Sequence, residues 1–323
     1  MRQQVLGKPN IVGLGIDIRT NTVSIGAFTS DPSVASAYVH DLIKSLPIPP
    51  DAVTIEAGAR ANAGATLSSF RETLEGGLKS QLSHGSTVRD CTMGFNAEAD
   101  DGSRVFLTNS HCTAERGGAN GTTYWQPDYQ VREIGTEYRD PNWLTNLGDP
   151  RCPNQTVNGE QALCRYSDAA LVRYHATMTT RASIARTTFN STGAGVFGST
   201  TIDPAAPYLA ITESRQFPDV GDPVQKVGFV SGWTWGYTAL DCWDTQVFQQ
   251  GVPTRYFALC QARVDDAGFA EGDSGSPAFL LRDDGGGNYH AQITGVVWGS
   301  SATGFWLSSL DMIEFELGPL WVF

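Results

Sequence analysis

From Thr92 onward the apolar stretches of this chain are short, and a turn cuts off each one. TMGFNAE, RVFLTN, AALVRY, VQKVGFV, PAFLLR and HAQITGVVWG follow one another with polar or glycine-containing breaks between them. Runs of that length suit strands, whereas a core helix needs about ten residues or more. The 35 glycines are spread along the chain and supply the tight turns. Residues Asp283 to Asn288 (DDGGGN) read as a hairpin loop. Many short strands must bury one face and manage their edges, which points to barrels or sandwiches. One helical pattern comes late: Ser308 to Leu317 sets Leu310, Ile313 and Leu317 on one face, with Gly318 as its C-cap.

The first sixty residues read differently. Residues 11–18 (IVGLGIDI) and 22–28 (TVSIGAF) form a predicted hairpin around Arg19, Thr20 and Asn21. Asp31 and Pro32 suit the N-cap and first position of a helix carrying Val34, Tyr38, Leu42 and Ile43 up to Leu46. Pro47, Pro49 and Pro50 end it, and Ala52 to Ala57 returns as a strand. The prediction is a ββαβ unit, small enough to be only marginally stable alone. Residues 58–89, rich in Ala, Gly and Ser, read as a connection with one short helix near Leu67 to Leu74.

Hydrophobic residues make up 41% of the 323 and charged ones 17%, the reverse of a disordered chain. A net charge of -12 without any basic stretch argues against nucleic acid as a partner. No apolar run reaches the roughly 18 residues of a membrane helix. The six cysteines (Cys91, Cys112, Cys152, Cys164, Cys242, Cys260) all lie beyond residue 90, and none makes a C-x-x-C pair. A metal or redox site is therefore not expected, and disulfides and export are. The opening MRQQVLGKPN has no signal-peptide core, so the natural start is expected upstream of it.

Three short motifs carry chemistry. In Gly272-Asp273-Ser274-Gly275-Ser276-Pro277 a serine sits between glycines, where the backbone N–H groups of Gly272 and Ser274 can face a developing oxyanion. By itself this is also what a Gly/Ser turn looks like. Thr108-Asn109-Ser110-His111-Cys112 follows the apolar Val105-Phe106-Leu107, and a hydroxyl needs a base such as an imidazole to become nucleophilic. A lone histidine is more often structural. Tyr166-Ser167-Asp168-Ala169-Ala170-Leu171 places an aspartate just ahead of an apolar strand, able to orient an imidazole but equally able to be a plain strand end.

Taken together, the three motifs resemble the chymotrypsin-like serine peptidases, in which His, Asp and Ser follow in that order. The resemblance covers about residues 86–318 and implies a triad of His111, Asp168 and Ser274. Cys91-Thr92-Met93-Gly94-Phe95-Asn96 and Val224 to Trp233 are similar to segments of the bacterial branch, typified by alpha-lytic protease and the streptogrisins. That branch implies a mainly β chain with two antiparallel six-stranded barrels and a C-terminal helix, here preceded by the small α+β unit. The expected division is 1–60 for that unit, 61–85 for a linker and 86–323 for the peptidase, with barrels at about 86–200 and 201–305 and the helix at 308–317. The resemblance also implies that Lys226 pairs with Asp273. It implies bonds Cys91–Cys112 and Cys152–Cys164, which leave Cys242 and Cys260 as a third pair. Its pocket maps to Gly268, Glu271, Val297, Trp298 and Gly299, and Gly268 near the floor favours an apolar or small residue on the acyl side. Val297 departs from the usual serine there, removing one donor to the aspartate. Ile11-Val12-Gly13-Leu14 only superficially resembles an activated N-terminus, since it lies too far ahead of His111.

The ββαβ pattern resembles the end of that branch's propeptides, so the N-terminal segment is expected to act as an intramolecular chaperone and inhibitor, cut near Glu75 to Gly77, with a permanent accessory domain as the alternative. The expected partners are polypeptide substrates and this segment, with no cofactor or metal, a monomeric state and a secreted location. A rival function is a non-catalytic binding protein on the same scaffold, although no triad member is missing. An esterase of another fold would need a histidine near the chain end, and His290 is a poor fit.

Overall fold

The computed structural model describes residues 5, 11–17, 21–28, 39, 42–44, 49–58, 64–157, 159–247 and 256–322. It divides into two compact units, Met1–Ala63 and Gly64–Phe323. In the first, Ile11–Asp17 pairs antiparallel with Thr22–Phe28, which pairs in parallel with Val53–Gly58. A parallel neighbour needs a crossover, and Val39, Leu42 and Ile43 are helical in that interval. Val39 and Ile43, four residues apart on one helix face, are buried with Val5 and Ile25. The ββαβ order is as expected. Asp31, Pro32, Val34, Tyr38 and Leu46, the rest of the expected helix, lie outside the described residues.

The second unit is mainly β and contains two closed rings of strands. In the first ring Lys79–His84 pairs with Thr87–Thr92, and that strand bends through residues 93–95 into Asn96–Ala99. Asn96–Ala99 pairs with Arg104–Thr108, and the ring continues through Ala170–Tyr174, Glu133–Arg139 and Thr123–Trp125 back to Lys79–His84. Every pairing is antiparallel. At the bend Met93 N–H donates to Leu78 O at 2.8 Å and Gly94 N–H to Leu107 O at 2.7 Å, so one strand serves both neighbours. A Cβ on Gly94 would lie 2.6 Å from Leu107 O, which is why the bend has a glycine. Leu78, Leu82, Met93, Phe106, Tyr124 and Val172 fill the interior.

The second ring runs Pro223–Gly228, Gly232–Val247, Tyr256–Asp265, Gly304–Ser309, Tyr289–Ser300, Pro277–Asp283 and back, again antiparallel throughout. Val224, Val264, Leu280, Val297, Phe305 and Leu307 pack within it. Counting the bent strand once, each ring has the six strands expected. Extra strands, among them Thr179–Ala185 and Tyr208–Ser214, widen the two sheets to eight and eleven strands. The hairpin loop before Asn288 is present, with Asp284 N–H donating to Asn288 O at 3.0 Å. The helix Leu310–Leu317 buries Leu310, Ile313 and Leu317, and Gly318 closes it at φ 88°. Leu320–Trp321 then pairs with Asn96–Ala99 of the first ring.

The expected boundary at residue 86 is too late. The second unit begins at Gly64, and Lys79–His84, assigned to a linker, is a barrel strand. No helix forms at residues 67–74; a turn there leads into the strand Thr73–Gly76, which runs parallel to Thr179–Ala185. The inward positions of these strands include Ser80, fully buried with its hydroxyl bonded to Cys91 O at 3.3 Å. A polar residue facing the interior breaks the alternation by which a strand is recognised.

Candidate active site

The strand Arg104–Thr108 continues through Asn109 into a single 3-10 turn, Ser110–Cys112. Its neighbour Ala170–Tyr174 is registered with Ala170 opposite Thr108, so the residues just beyond the paired ends meet. Ser110 N–H and Asn109 Nδ2 both donate to the Asp168 carbonyl, at 3.2 and 2.7 Å. This fastens the turn over the Asp168 side chain. The His111 backbone N–H donates to Asp168 Oδ1 at 3.1 Å, and Nδ1 lies 2.6 Å from Oδ2. With Nδ1 donating to the carboxylate, Nε2 is left as the basic nitrogen. Burial of Asp168 opposes ionisation, but His111, then Arg116 and Arg165, outweigh it and hold the carboxyl well below the usual range.

Ser274 lies on the loop that leads into Pro277–Asp283 of the second ring. Thr92 N–H donates to Ser274 O at 2.8 Å, and Thr92 Oγ1 donates to Gly272 O at 2.9 Å. Thr92 follows Cys91, whose disulfide partner Cys112 follows His111, so one short cross-linked path ties the serine loop to the histidine turn. Both Ser274 and His111 are partly exposed. Among the described residues the Ser274 hydroxyl forms no hydrogen bond, with His111 or any other; such contacts commonly tighten only when substrate is in place.

The loop backbone alternates in a telling way. The N–H groups of Asp273, Gly275 and Ser276 are bonded to Ala270, Val297 and Asp273 carbonyls. Those of Gly272 and Ser274 have no acceptor among the described residues. Gly272 has φ 100°, and a Cβ there would meet Val230 Cγ2 at 2.8 Å. Gly275 has φ 92°, and its Cβ would lie 2.2 Å from Thr92 O. Both glycines are thus required by their positive φ and by close contact, Gly272 with Val230 and Gly275 with Thr92.

Asp273 is fully buried. Lys226 Nζ lies 2.9 Å from its Oδ2, and four further donors were not foreseen: Ser231 Oγ at 2.5 Å, Ser231 N–H at 3.0 Å, Val230 N–H at 3.2 Å and Ala270 N–H at 2.9 Å. Burial alone would raise the Asp273 carboxyl; Lys226 and Ser231 reverse that and lower it.

The expected pocket residues do not all point one way. Val297 is a core residue of the second ring, exchanging hydrogen bonds of 2.9 Å with the serine loop through its backbone. Trp298 stacks on Trp306 with ring centres 6.3 Å apart and donates Nε1–H to Gln261 Oε1 at 2.8 Å. Gly268 packs so tightly that a Cβ would lie 2.0 Å from Val196 O, whereas Gly299 has open space there. Glu271 is exposed. The pairs Cys91–Cys112, Cys152–Cys164 and Cys242–Cys260 are all bonded, the expected set.

Two residues escaped the sequence reading. Arg165 and Asp140 form a fully buried ion pair at 3.1 Å beside Asp168. Nothing in the sequence marks them, because an arginine three residues before an aspartate is by default a solvated one.

No family model matches the chain, and no curated protein matches it. Among solved structures, Thermobifida fusca protease A is similar at 16% identity and a TM-score of 0.48, covering 77% of this chain and 98% of its own. The Nocardiopsis protease is similar at 19% and 0.47, covering 77% and 97%. Cellulomonas bogoriensis chymotrypsin is similar at 19% and 0.45, again covering 77% and 97%. At this level of identity the chemistry of the chain has to be argued from its own side chains.

Proposed function

We propose that this chain is a serine endopeptidase using His111, Asp168 and Ser274. The observation that carries the reading is the pairing of His111 Nδ1 with buried Asp168 at 2.6 Å, on a turn tied to a serine loop whose Gly272 and Ser274 amides have no acceptor among the described residues. In the proposed reaction Nε2 takes the Ser274 proton as the oxygen attacks a peptide carbonyl. The two amides receive the oxyanion, and Asp168 stabilises the imidazolium. That proton then goes to the leaving amine, and water repeats the sequence on the acyl-enzyme. Lys226 and Asp273 hold the loop in shape. The tight packing at Gly268 with open space at Gly299 supports apolar or small side chains on the acyl side.

The test is direct. A fluorophosphonate should label the protein at Ser274, and Ser274→Ala should lower kcat by about a million-fold on a peptide substrate. Unchanged turnover in that variant would end the proposal. A wild type that shows neither labelling nor turnover would favour the rival, a binding protein on this scaffold.

The first unit is proposed to chaperone and inhibit the second. The expected cut near Glu75 to Gly77 conflicts with the structure: Glu75 is fully buried and a Cβ on Gly76 would lie 2.2 Å from Gly94 O. A cut releasing the first unit belongs ahead of Gly64, where the units divide. Intact-mass measurement of secreted active protein would read it. The three disulfides support an extracellular location.

A further inference from the structure

Arg165 is the largest side chain with essentially no solvent exposure. Its Nη2 donates to Asp140 Oδ1 at 3.1 Å, and its Nη1 stands 3.8 Å from Asp168 Oδ1. Nη1 also donates to Ser110 Oγ at 2.6 Å, and Ser110 Oγ donates to Asp140 Oδ2 at 2.8 Å. The guanidinium lies 5.0 Å from the Trp143 ring centre. A buried cation is expensive to keep, and an apolar side chain would fill the same space more cheaply. Asp168 Oδ1 receives one backbone N–H, from His111, and among the described residues no side-chain hydrogen bond; Val297 has no hydroxyl to give.

We propose that Arg165 is a positioning residue for the Asp168–His111 couple: clamped by Asp140, its guanidinium fixes the carboxylate and sets the pH at which the couple takes up a proton. Its catalytic consequence rests on the peptidase reading. The charges run Asp140, Arg165, Asp168, His111 in alternating sign. A cation beside Asp168 opposes adding a proton to the imidazole, and Asp140 partly cancels that cation. Removing Arg165 and neutralising Asp140 must therefore act in opposite directions. Among the described residues the other groups facing this array are Arg116 and Tyr256, whose ring lies 5.6 Å from the Arg116 guanidinium, Glu316, and, on the Asp140 side, Glu137 and Tyr124. They are common to all the variants below.

The experiment measures kcat/KM against pH on a chromogenic peptide, with NMR titration of the His111 ring, for wild type, Arg165→Gln, Arg165→Lys and Asp140→Asn. Arg165→Gln should move the acid limb up by about one pH unit, and Asp140→Asn should move it down. Arg165→Lys should restore the limb but not the full kcat, because an ammonium cannot span both carboxylates. A merely structural arginine would lower kcat or stability while leaving the limb in place, and coincident limbs would overturn the proposal. If Arg165→Gln does not fold, Asp140→Asn decides alone: a downward shift supports the role, none refutes it. An inactive wild type would sink the peptidase reading, and the His111 titrations would still decide this one.

Discussion

One buried cation stands beside the serine loop of the second barrel and another beside Asp168 of the first, and the two are built differently. In the second, Lys226 and Asp273 form a closed pair: Lys226 also donates to Ser231 Oγ at 2.6 Å, and Asp273 accepts four further hydrogen bonds around its two oxygens. Beside Asp168, Arg165, on a strand paired with Tyr256–Asp265, is shared between two carboxylates, and its Nε has no partner among the described residues. A satisfied pair fixes geometry. A shared cation biases charge, because its field reaches a neighbour that must gain and lose a proton. Under the proposed mechanism the serine loop needs the first kind of support and the base needs the second.

The comparison can be broken most decisively at the base. Asp168→Asn keeps the shape but reverses the hydrogen bond to Nδ1, so kcat at neutral pH should fall by about ten-thousand-fold with folding preserved. A loss below tenfold by steady-state kinetics would mean that the pair is structural. On the other side, Lys226→Met strands Asp273 in the core and should cost about 3–5 kcal/mol in urea unfolding. Lys226→Met with Asp273→Asn should recover much of that; failure to recover would show that the charge itself is needed.

The same pair predicts an acid dependence with a definite sign. Asp273 has a folded pKa below its unfolded value of about 4. Its stabilisation is therefore complete above about pH 4 and is lost as pH falls through the lower folded value. Lys226→Met removes the cation that depresses Asp273, so the stability gap to wild type, read by urea unfolding followed by fluorescence, should be largest above about pH 4 and narrow as pH falls below it. Superimposable curves would count against the pair.

The disulfides sharpen the contrast further. Replacing Cys242 and Cys260 by Ser should lower stability by about 3 kcal/mol and leave kcat unchanged, since that bond braces an outer hairpin. Replacing Cys91 and Cys112 should cost about as much and lower kcat too, because this bond joins Thr92 to the His111 turn. Ser110→Ala is the mildest change, about 2 kcal/mol, from the lost hydrogen bonds to Arg165 and Asp140.

Legibility in the sequence followed the physics of each residue. His111, Asp168 and Ser274 stood out because their neighbours are diagnostic: a strand end, a cysteine, flanking glycines. Lys79–His84 was hidden because its inward serine resembles a surface residue, and residues 67–74 because Leu67, Phe70 and Leu74 fall at helical spacing although the chain turns there. Val297 was assigned to a pocket when its side chain belongs to the core; strand alternation sends neighbouring side chains to opposite faces, and only the sheet decides which is which.

By itself the sequence determined that the chain is mainly β, where its candidate catalytic motifs lie, and that the first sixty residues form a separate α+β unit. These depend on local patterning, which each segment carries with it. Only the tertiary structure decided how the strands close into two rings, which N–H groups of the serine loop go unpaired, and that Arg165, Asp140 and Asp168 share one dry site. Pairing and burial depend on residues far apart in the chain, and a charge shows whether it is solvated or enclosed only when its neighbours arrive.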